Sequence, residues 1–132
     1  MTLTRVSLRD MKLVYVIVSC AKKLRYAQGR SRIAYIGTTK KGAARVATSA
    51  AKRARDVLRL HGVDSCEVRI VACTRRRNVK TWYKLEAALA LMHREMFGEV
   101  PTCNHTFQKR KWGDLLTYFT RKKLRRIVED MC

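Results

Sequence analysis

Two short apolar runs that each carry a tyrosine constrain the fold of this chain more than any other feature. Residues 13–18 are continuously apolar or aromatic and rich in β-branched types, which predicts a buried strand. Residues 33–36 predict a second strand, which ends at Gly37 in a tight turn. A helix that starts after this turn carries Arg45 in its first turns, so the sequence predicts two tyrosines and a guanidinium close together.

The remaining pattern predicts one small domain over residues 1–132, with Thr38 and Thr39 as candidate caps of its first helix. The order strand, strand, helix, strand, helix, helix indicates an α+β fold with a short antiparallel sheet. The motif-bearing core covers about residues 13–104, and a basic helical extension covers about 108–132. The predicted elements after the first strand are a basic hairpin loop over 20–32, a strand over 66–73, and helices over 43–60, 82–97 and 112–131.

The charge of the chain indicates which partners it binds. Thirty lysines and arginines face ten aspartates and glutamates, which gives a net charge of +20 and a pI near 10.6. Such a field on a small domain favours nucleic acid or an anionic membrane surface. The sequence contains no apolar run long enough for a membrane span and no clear signal peptide. We therefore expect an intracellular protein of the cytoplasm, nucleoid or nucleus.

Clusters of basic residues predict the surface that contacts nucleic acid, because a surface balanced in charge would mix both signs. One cluster lies in the hairpin loop, one follows the third strand and one lies on the C-terminal helix. The predicted nucleic-acid-binding residues are Lys22, Lys23, Arg25, Arg30, Arg32, Lys52, Arg75, Arg76, Arg77, Lys122, Lys123 and Arg125.

A few residues have the chemistry that phosphodiester hydrolysis requires. Glu86 borders the apolar stripe of a core helix, and one carboxylate can bind Mg²⁺ when water and phosphate oxygens fill the other positions. Arg45 can hold the phosphate through bidentate contact. Tyr15 or Tyr35 can orient or deprotonate the attacking water, with the charge of Lys40 lowering the pKa of a nearby tyrosine.

In this order, Tyr15, Tyr35-Ile36-Gly37, Arg45, Glu86 and Asn104 resemble the motifs of the GIY-YIG nuclease superfamily, over most of the chain. The resemblance implies a three-stranded antiparallel sheet flanked by helices. It also implies a metal-binding glutamate (Glu86, with Mg²⁺ or Mn²⁺), a phosphate-facing Arg45 and a site-bracing Asn104. By the same resemblance, Tyr15 is the candidate general base and Tyr35 would position water or phosphate.

The chain departs from that family pattern in three places. The loop between the two tyrosine motifs is longer than in compact members and contains Tyr26. The first motif reads Leu13-Val14-Tyr15, so only its tyrosine agrees. Thr48 and Ser49 stand one turn after Arg45, where some members have a histidine.

The resemblance implies a metal-dependent DNA endonuclease that leaves 5′-phosphate and 3′-hydroxyl ends. No zinc finger or helix-turn-helix signature follows the motifs, so we expect low sequence specificity, or selectivity for single strands or for DNA structure. Single-stranded, duplex and branched DNA all stay open as substrates, and a second copy or a protein partner is the alternative source of specificity. The alternative functions are a non-catalytic basic nucleic-acid-binding protein, with RNA as a further partner, and an accessory nuclease subunit.

Overall fold

The computed structural model describes residues 2–4, 13–39, 42–71 and 76–132, without the side chains of 2–4, 42–47 and 106. In chain order the elements are β1 (Thr2–Thr4), β2 (Leu13–Ser19), β3 (Leu24–Tyr26), β4 (Gly29–Ser31), β5 (Ile33–Thr39), α1 (Gly42–Leu58), β6 (Cys66–Val71), α2 (Thr81–Phe97), a 3-10 turn (His105–Phe107), α3 (Leu115–Tyr118) and α4 (Arg121–Met131).

The main sheet has the strand order β1-β6-β2-β5. The central strand β2 pairs antiparallel with both β5 and β6, while β1 joins β6 in parallel. The predicted α+β fold with a three-stranded antiparallel sheet is therefore confirmed, and β1 adds a fourth strand. Within the described residues β5 forms one edge of this sheet, so no further strand pairs with its outer side.

The unbroken apolar run of β2 reflects a strand that is covered on both faces. All seven of its residues are buried. Leu13, Tyr15 and Ile17 pack in the core that includes Ala50, Ala54 and Val57 of α1. The alternate side chains Val14, Val16 and Val18 pack on the other face, against the apolar stripe of α2. Successive side chains of a strand point to opposite faces, and here both faces need apolar residues.

The second predicted strand is longer than expected, which corrects the interpretation of its C-terminal end. β5 continues to Thr39, where Thr38 pairs with Val14 and Thr39 with Leu13. Gly37 therefore lies inside the strand, and the predicted tight turn and threonine helix caps are wrong. Threonine is β-branched and suits a strand as well as a cap, and pairing with β2 decides between the two.

The basic loop predicted over residues 20–32 contains a small hairpin, β3–β4, that is anchored to the end of α2. The Gln28 amide donates to the Phe97 carbonyl at 2.8 Å. The buried His93 ring contacts Ser31 Oγ at 3.1 Å through Nε2 and the Glu99 carbonyl at 2.7 Å through Nδ1. The hairpin is therefore a fixed platform for the basic side chains it carries.

The first two helices follow the sequence expectation closely, whereas the third does not. The predicted helix over 112–131 is divided into α3 and α4, because Phe119 is extended at φ −136° and ψ 137°. The Thr120 hydroxyl then caps α4 by accepting from the Lys123 amide at 3.2 Å. None of the helices in the described residues combines the length and the apolar character needed to cross a membrane.

Candidate active site

Two tyrosines meet on the face of the sheet that α1 covers. Tyr15 of β2 pairs with Gly37 of β5, and Ile17 pairs with Tyr35, so the two tyrosines are diagonal neighbours. Their ring centroids lie 6.0 Å apart with the planes tilted by 44°. The two hydroxyls are hydrogen-bonded to each other.

Gly37 makes this approach of the two rings feasible. A Cβ at position 37 would lie 2.7 Å from Tyr15 Cζ and 2.7 Å from Tyr35 Cε1. Carbon atoms do not approach so closely without strain, so any side chain here would displace both rings. Gly37 thus serves close packing inside a strand.

Among the described side chains, Arg53 contacts the tyrosine pair. Its guanidinium carbon lies 5.4 Å from the centroid of the Tyr35 ring, and the guanidinium hydrogen-bonds the Tyr35 hydroxyl. Arg53 stands eight residues after Arg45 on α1, a rise of about 12 Å along the helix axis. The backbone of Arg45 is part of α1, while its side chain is outside the described residues, so its predicted contact with phosphate stays a prediction.

Glu86 of α2 lies beside the same segment of β5, on the face of the sheet that α2 covers, where its partner is Thr38. Its half-buried carboxylate accepts a hydrogen bond from the Thr38 side chain, and its negative charge raises the pKa of Tyr15 and of Tyr35. Burial raises the pKa of the Glu86 carboxyl, and the Thr38 hydrogen bond and the charge of Arg110 oppose that rise. A buried carboxylate with one neutral hydrogen-bond donor retains oxygen lone pairs for a cation.

Asn104 braces the strand that carries Tyr35 and Gly37. Its side-chain oxygen accepts from the Ile36 amide at 2.8 Å, and its side-chain nitrogen donates to the Ile36 carbonyl at 2.8 Å. The Cys103 amide also donates to the Ala34 carbonyl at 3.0 Å. These bonds supply the edge of β5 with partners that a neighbouring strand would otherwise provide.

The electrostatics of the tyrosine pair favour an orienting role over a basic one. Burial raises the pKa of Tyr15 well above its usual range, and the neighbouring Tyr35 raises it further. Burial also raises the pKa of Tyr35, although Arg53 opposes that rise. Both phenols are therefore protonated at neutral pH, and each is a hydrogen-bond donor rather than a ready general base.

The residues present fit a single hard cation held by one carboxylate. Among the described residues, no three histidine, cysteine, aspartate or glutamate side chains lie together as a ligand group. Mg²⁺ commonly uses one or two protein carboxylates and completes its octahedron with water and phosphate oxygens. Glu86 and its neighbouring hydroxyls are suited to that arrangement.

The structure thus brings together five of the residues singled out from the sequence. Tyr15, Tyr35, Gly37, Glu86 and Asn104 all lie around the C-terminal half of β5. Lys40, which was expected to lower a tyrosine pKa, lies outside the described residues.

Sequence reasoning missed Arg53, Thr38 and Arg110 as neighbours of these groups. A signal existed for Arg53, because it stands at helical spacing between Ala50 and Val57, which are both in the core. A charged residue on such a stripe is the same kind of signal that drew attention to Glu86.

The basic hairpin lies at the other end of the sheet from this site. Ser19, at the end of β2 beside the hairpin, is five residues from Val14, which pairs with Thr38, a separation of about 17 Å. The predicted nucleic-acid-binding residues are exposed at Lys22, Lys23, Arg25, Arg30, Lys52, Arg76, Arg77, Lys122, Lys123 and Arg125, half-buried at Arg32, and outside the described residues at Arg75. The basic side chains therefore do not converge on one point, and they suit an extended polyanion better than a small anion.

We compared the chain with models of protein families, with curated proteins and with solved structures, and none of the three comparisons found a match.

Proposed function

We propose that this chain is a metal-dependent DNA endonuclease of the GIY-YIG type. The observation that carries the proposal is the contact of Tyr15 with Tyr35 over a strand glycine, with Arg53 bound to the second tyrosine and with Glu86 close enough for its charge to raise the pKa of both phenols. Independent structural roles would not require two phenols, a guanidinium and a carboxylate to lie near one segment of β5. The net charge of +20 supports a polyanionic substrate.

The chemistry requires a water oxygen to attack phosphorus while the bond to the 3′ oxygen breaks. The water passes one proton to the solvent, the leaving 3′ oxygen takes one from the solvent, and the products carry a 5′-phosphate and a 3′-hydroxyl. The Tyr35 hydroxyl accepts a hydrogen bond from the Arg53 guanidinium and is itself protonated, so it can donate a hydrogen bond to a phosphate oxygen. Arg53 then stabilises the negative charge that develops on the phosphoryl group.

Glu86 is the residue that would hold Mg²⁺ or Mn²⁺, and such an ion would supply charge neutralisation at the scissile phosphate. Arg45 would contact the same phosphate from the first turns of α1. The exposed cations of α4, Lys122, Lys123 and Arg125, are suited to contact the backbone away from the site as a basic C-terminal extension.

The test is a cleavage assay on single-stranded, duplex and branched DNA, with Mg²⁺, with Mn²⁺ and with a chelator. We expect cleavage only with metal, and we expect Glu86→Gln to abolish it while binding in the chelator is retained. Asp64→Asn is the matched control, since Asp64 is an exposed carboxylate in the loop before β6 and is not among the residues proposed to contact DNA or metal. Binding without cleavage on all three substrates would instead support a non-catalytic nucleic-acid-binding protein or an accessory subunit, and equal cleavage by Glu86→Gln would remove Glu86 from the site.

A further inference from the structure

A second feature of the molecule, a pocket next to Glu86, has a composition suited to a nucleotide. Tyr83 of α2 and Tyr118 of α3 line a cavity of about 410 Å³ together with Lys80, Lys84 and Arg110. Small-molecule sites in proteins typically enclose about 300–1,000 Å³, so the cavity is large enough for one base with its sugar and phosphate. The combination of aromatic faces with cations is what stacking and phosphate binding require.

The rings of this pocket are flanked by positive charge. Lys80 Nζ lies 5.9 Å from the centroid of the Tyr83 ring, and Lys84 Nζ lies 4.8 Å from that of Tyr118. The Arg76 guanidinium lies 5.4 Å from the Tyr118 centroid. Asp114 contributes the opposing charge, through an ion pair with Lys84 at 2.8 Å. Tyr83 is 40% exposed and lies beside the Trp82 ring, with the two centroids 5.5 Å apart, so an incoming base would extend an existing aromatic pair.

Arg110 connects this pocket with the candidate active site. It lines the pocket, and its charge lowers the pKa of the Glu86 carboxyl, so the two sites are electrostatic neighbours. The backbone of its loop is held by Arg94, whose guanidinium donates to the carbonyls of Gln108 and Arg110 at 3.1 and 2.7 Å. A phosphate between the two sites would meet a guanidinium with a fixed backbone.

Asn78 adds a side-chain amide at the mouth of the pocket. Its backbone is left-handed at φ 60°, in a turn closed by a hydrogen bond from the Val79 amide to the Arg76 carbonyl at 3.3 Å. Asparagine tolerates this conformation better than most residues. Its amide both donates and accepts hydrogen bonds, as the polar edge of a base does.

We propose that this pocket binds one unstacked nucleotide of DNA, with the base against Tyr83 and the phosphate between Lys80 and Arg110. A base in an intact duplex is paired and stacked, so entry favours single-stranded or unpaired positions of a branched substrate. The proposal extends the proposed nuclease function by naming its substrate class, but binding in this pocket does not require cleavage.

The test is a binding measurement in a chelator, so that cleavage plays no part. Fluorescence anisotropy of a short labelled DNA, as a single strand and as a duplex, is compared for wild type, Tyr83→Ala and Tyr83→Phe. We expect Tyr83→Ala to weaken single-strand binding by roughly tenfold or more, the usual effect of losing one base–aromatic stack, and to change duplex binding much less. Tyr83→Phe keeps the ring and should bind as wild type does.

Leu58→Ala is the control variant, because Leu58 is a similarly exposed apolar residue of α1 that is remote from the pocket in sequence and not among its lining residues. Equal losses for single strand and duplex with Tyr83→Ala, or no loss for either, would overturn the proposal. Selective loss in a protein that never cuts DNA would support the pocket and reject the nuclease. Cleavage by wild type with unselective Tyr83→Ala binding would support the nuclease and reject the pocket.

Discussion

The side-chain amide of Asn104 forms two hydrogen bonds with the backbone of Ile36, each 2.8 Å long, as a neighbouring strand would. Both groups are buried, so removing the amide leaves an amide proton and a carbonyl without partners. Each buried backbone group that loses its partner costs about 1–3 kcal/mol. Two groups are affected, so we expect Asn104→Ala to lower the free energy of unfolding by at least about 2 kcal/mol in urea denaturation.

Asn104→Ala should destabilise the edge strand β5 more than the centre of the sheet. Hydrogen exchange at the Ile36 amide is expected to accelerate more than exchange at Val16, its partner in the centre of the sheet. Equal acceleration at both positions would show that Asn104 stabilises the whole fold rather than this edge.

A second prediction concerns the space under the two tyrosine rings. Gly37→Ala places a methyl group 2.7 Å from atoms of both Tyr15 and Tyr35, so the rings must separate. Overpacking of this kind costs typically about 1–3 kcal/mol. We expect lower stability, a changed tyrosine signal in near-UV circular dichroism and loss of cleavage.

The matched control is Gly113→Ala, where an added Cβ meets nothing within 4 Å. The backbone there is left-handed at φ 53°, so this variant carries a backbone cost without a steric one. An unchanged tyrosine signal in Gly37→Ala would contradict the close approach of the rings.

The sequence and the structure agree best where a pattern has only one physical solution. The apolar run of β2 predicts a strand covered on both faces, and the structure buries all seven residues of that strand. Glu86 stands out in the sequence because a carboxylate beside the apolar stripe of a helix is costly to bury unless a partner or a ligand compensates its charge. Thr38 was misassigned because threonine serves both strand interiors and helix caps, and only pairing with a distant strand decides.

Other parts of the site depend on contacts that no local pattern contains. The bonds from Asn104 to Ile36 span 68 residues, so the partner is set by tertiary packing. Arg53 is one of three arginines on α1, and although its spacing between core residues sets it apart, its contact with Tyr35 is decided by tertiary packing.

Arg53 gives a third prediction, since its charge opposes the rise in the pKa of Tyr35. Removing that charge in Arg53→Gln should raise the pKa of Tyr35 further, which spectrophotometric titration of tyrosine can follow. If Arg53 also stabilises the phosphoryl charge, the cleavage rate should fall on the order of a hundredfold while binding changes little. Arg55→Gln removes an exposed arginine of the same helix and serves as the control. A rate equal to that of the control would exclude Arg53 from the site.

A fourth prediction follows from His93, which is fully buried and has a pKa lowered by burial from 6.5 to about 4. The unfolded chain binds the proton more readily than the folded chain between these two values. Stability should therefore fall as the pH drops from about 6.5 towards 4, by up to roughly 3 kcal/mol from this residue. Urea denaturation at several pH values measures the slope.

His93→Gln should lower stability at neutral pH, where the hydrogen bonds to Ser31 and Glu99 are lost or weakened. The same variant should remove most of the change in the free energy of unfolding between pH 6.5 and 4. This change with pH can be compared with wild type even if the variant is less stable at neutral pH. His61→Gln, at an exposed position, should keep the wild-type slope. A slope that persists in His93→Gln would assign the acid sensitivity to another group whose pKa is lower in the folded chain than in the unfolded one. That group cannot be Glu86, because its raised pKa makes the folded chain the better proton binder.

The last prediction uses the hydrogen bond that Glu86 accepts from Thr38. This bond lowers the pKa of the Glu86 carboxyl against the opposing effect of burial. In Thr38→Val the β-branched shape is kept and the donor is lost, so the pKa of Glu86 should rise further. A protonated carboxyl does not bind Mg²⁺, and the acid limb of the pH–rate profile for cleavage should move to higher pH. At pH values well above this limb the variant should cut DNA at nearly the wild-type rate, because the carboxylate is then ionised in both proteins. An acid limb that stays in place, or that moves to lower pH, would show that a group other than Glu86 controls the loss of activity in acid.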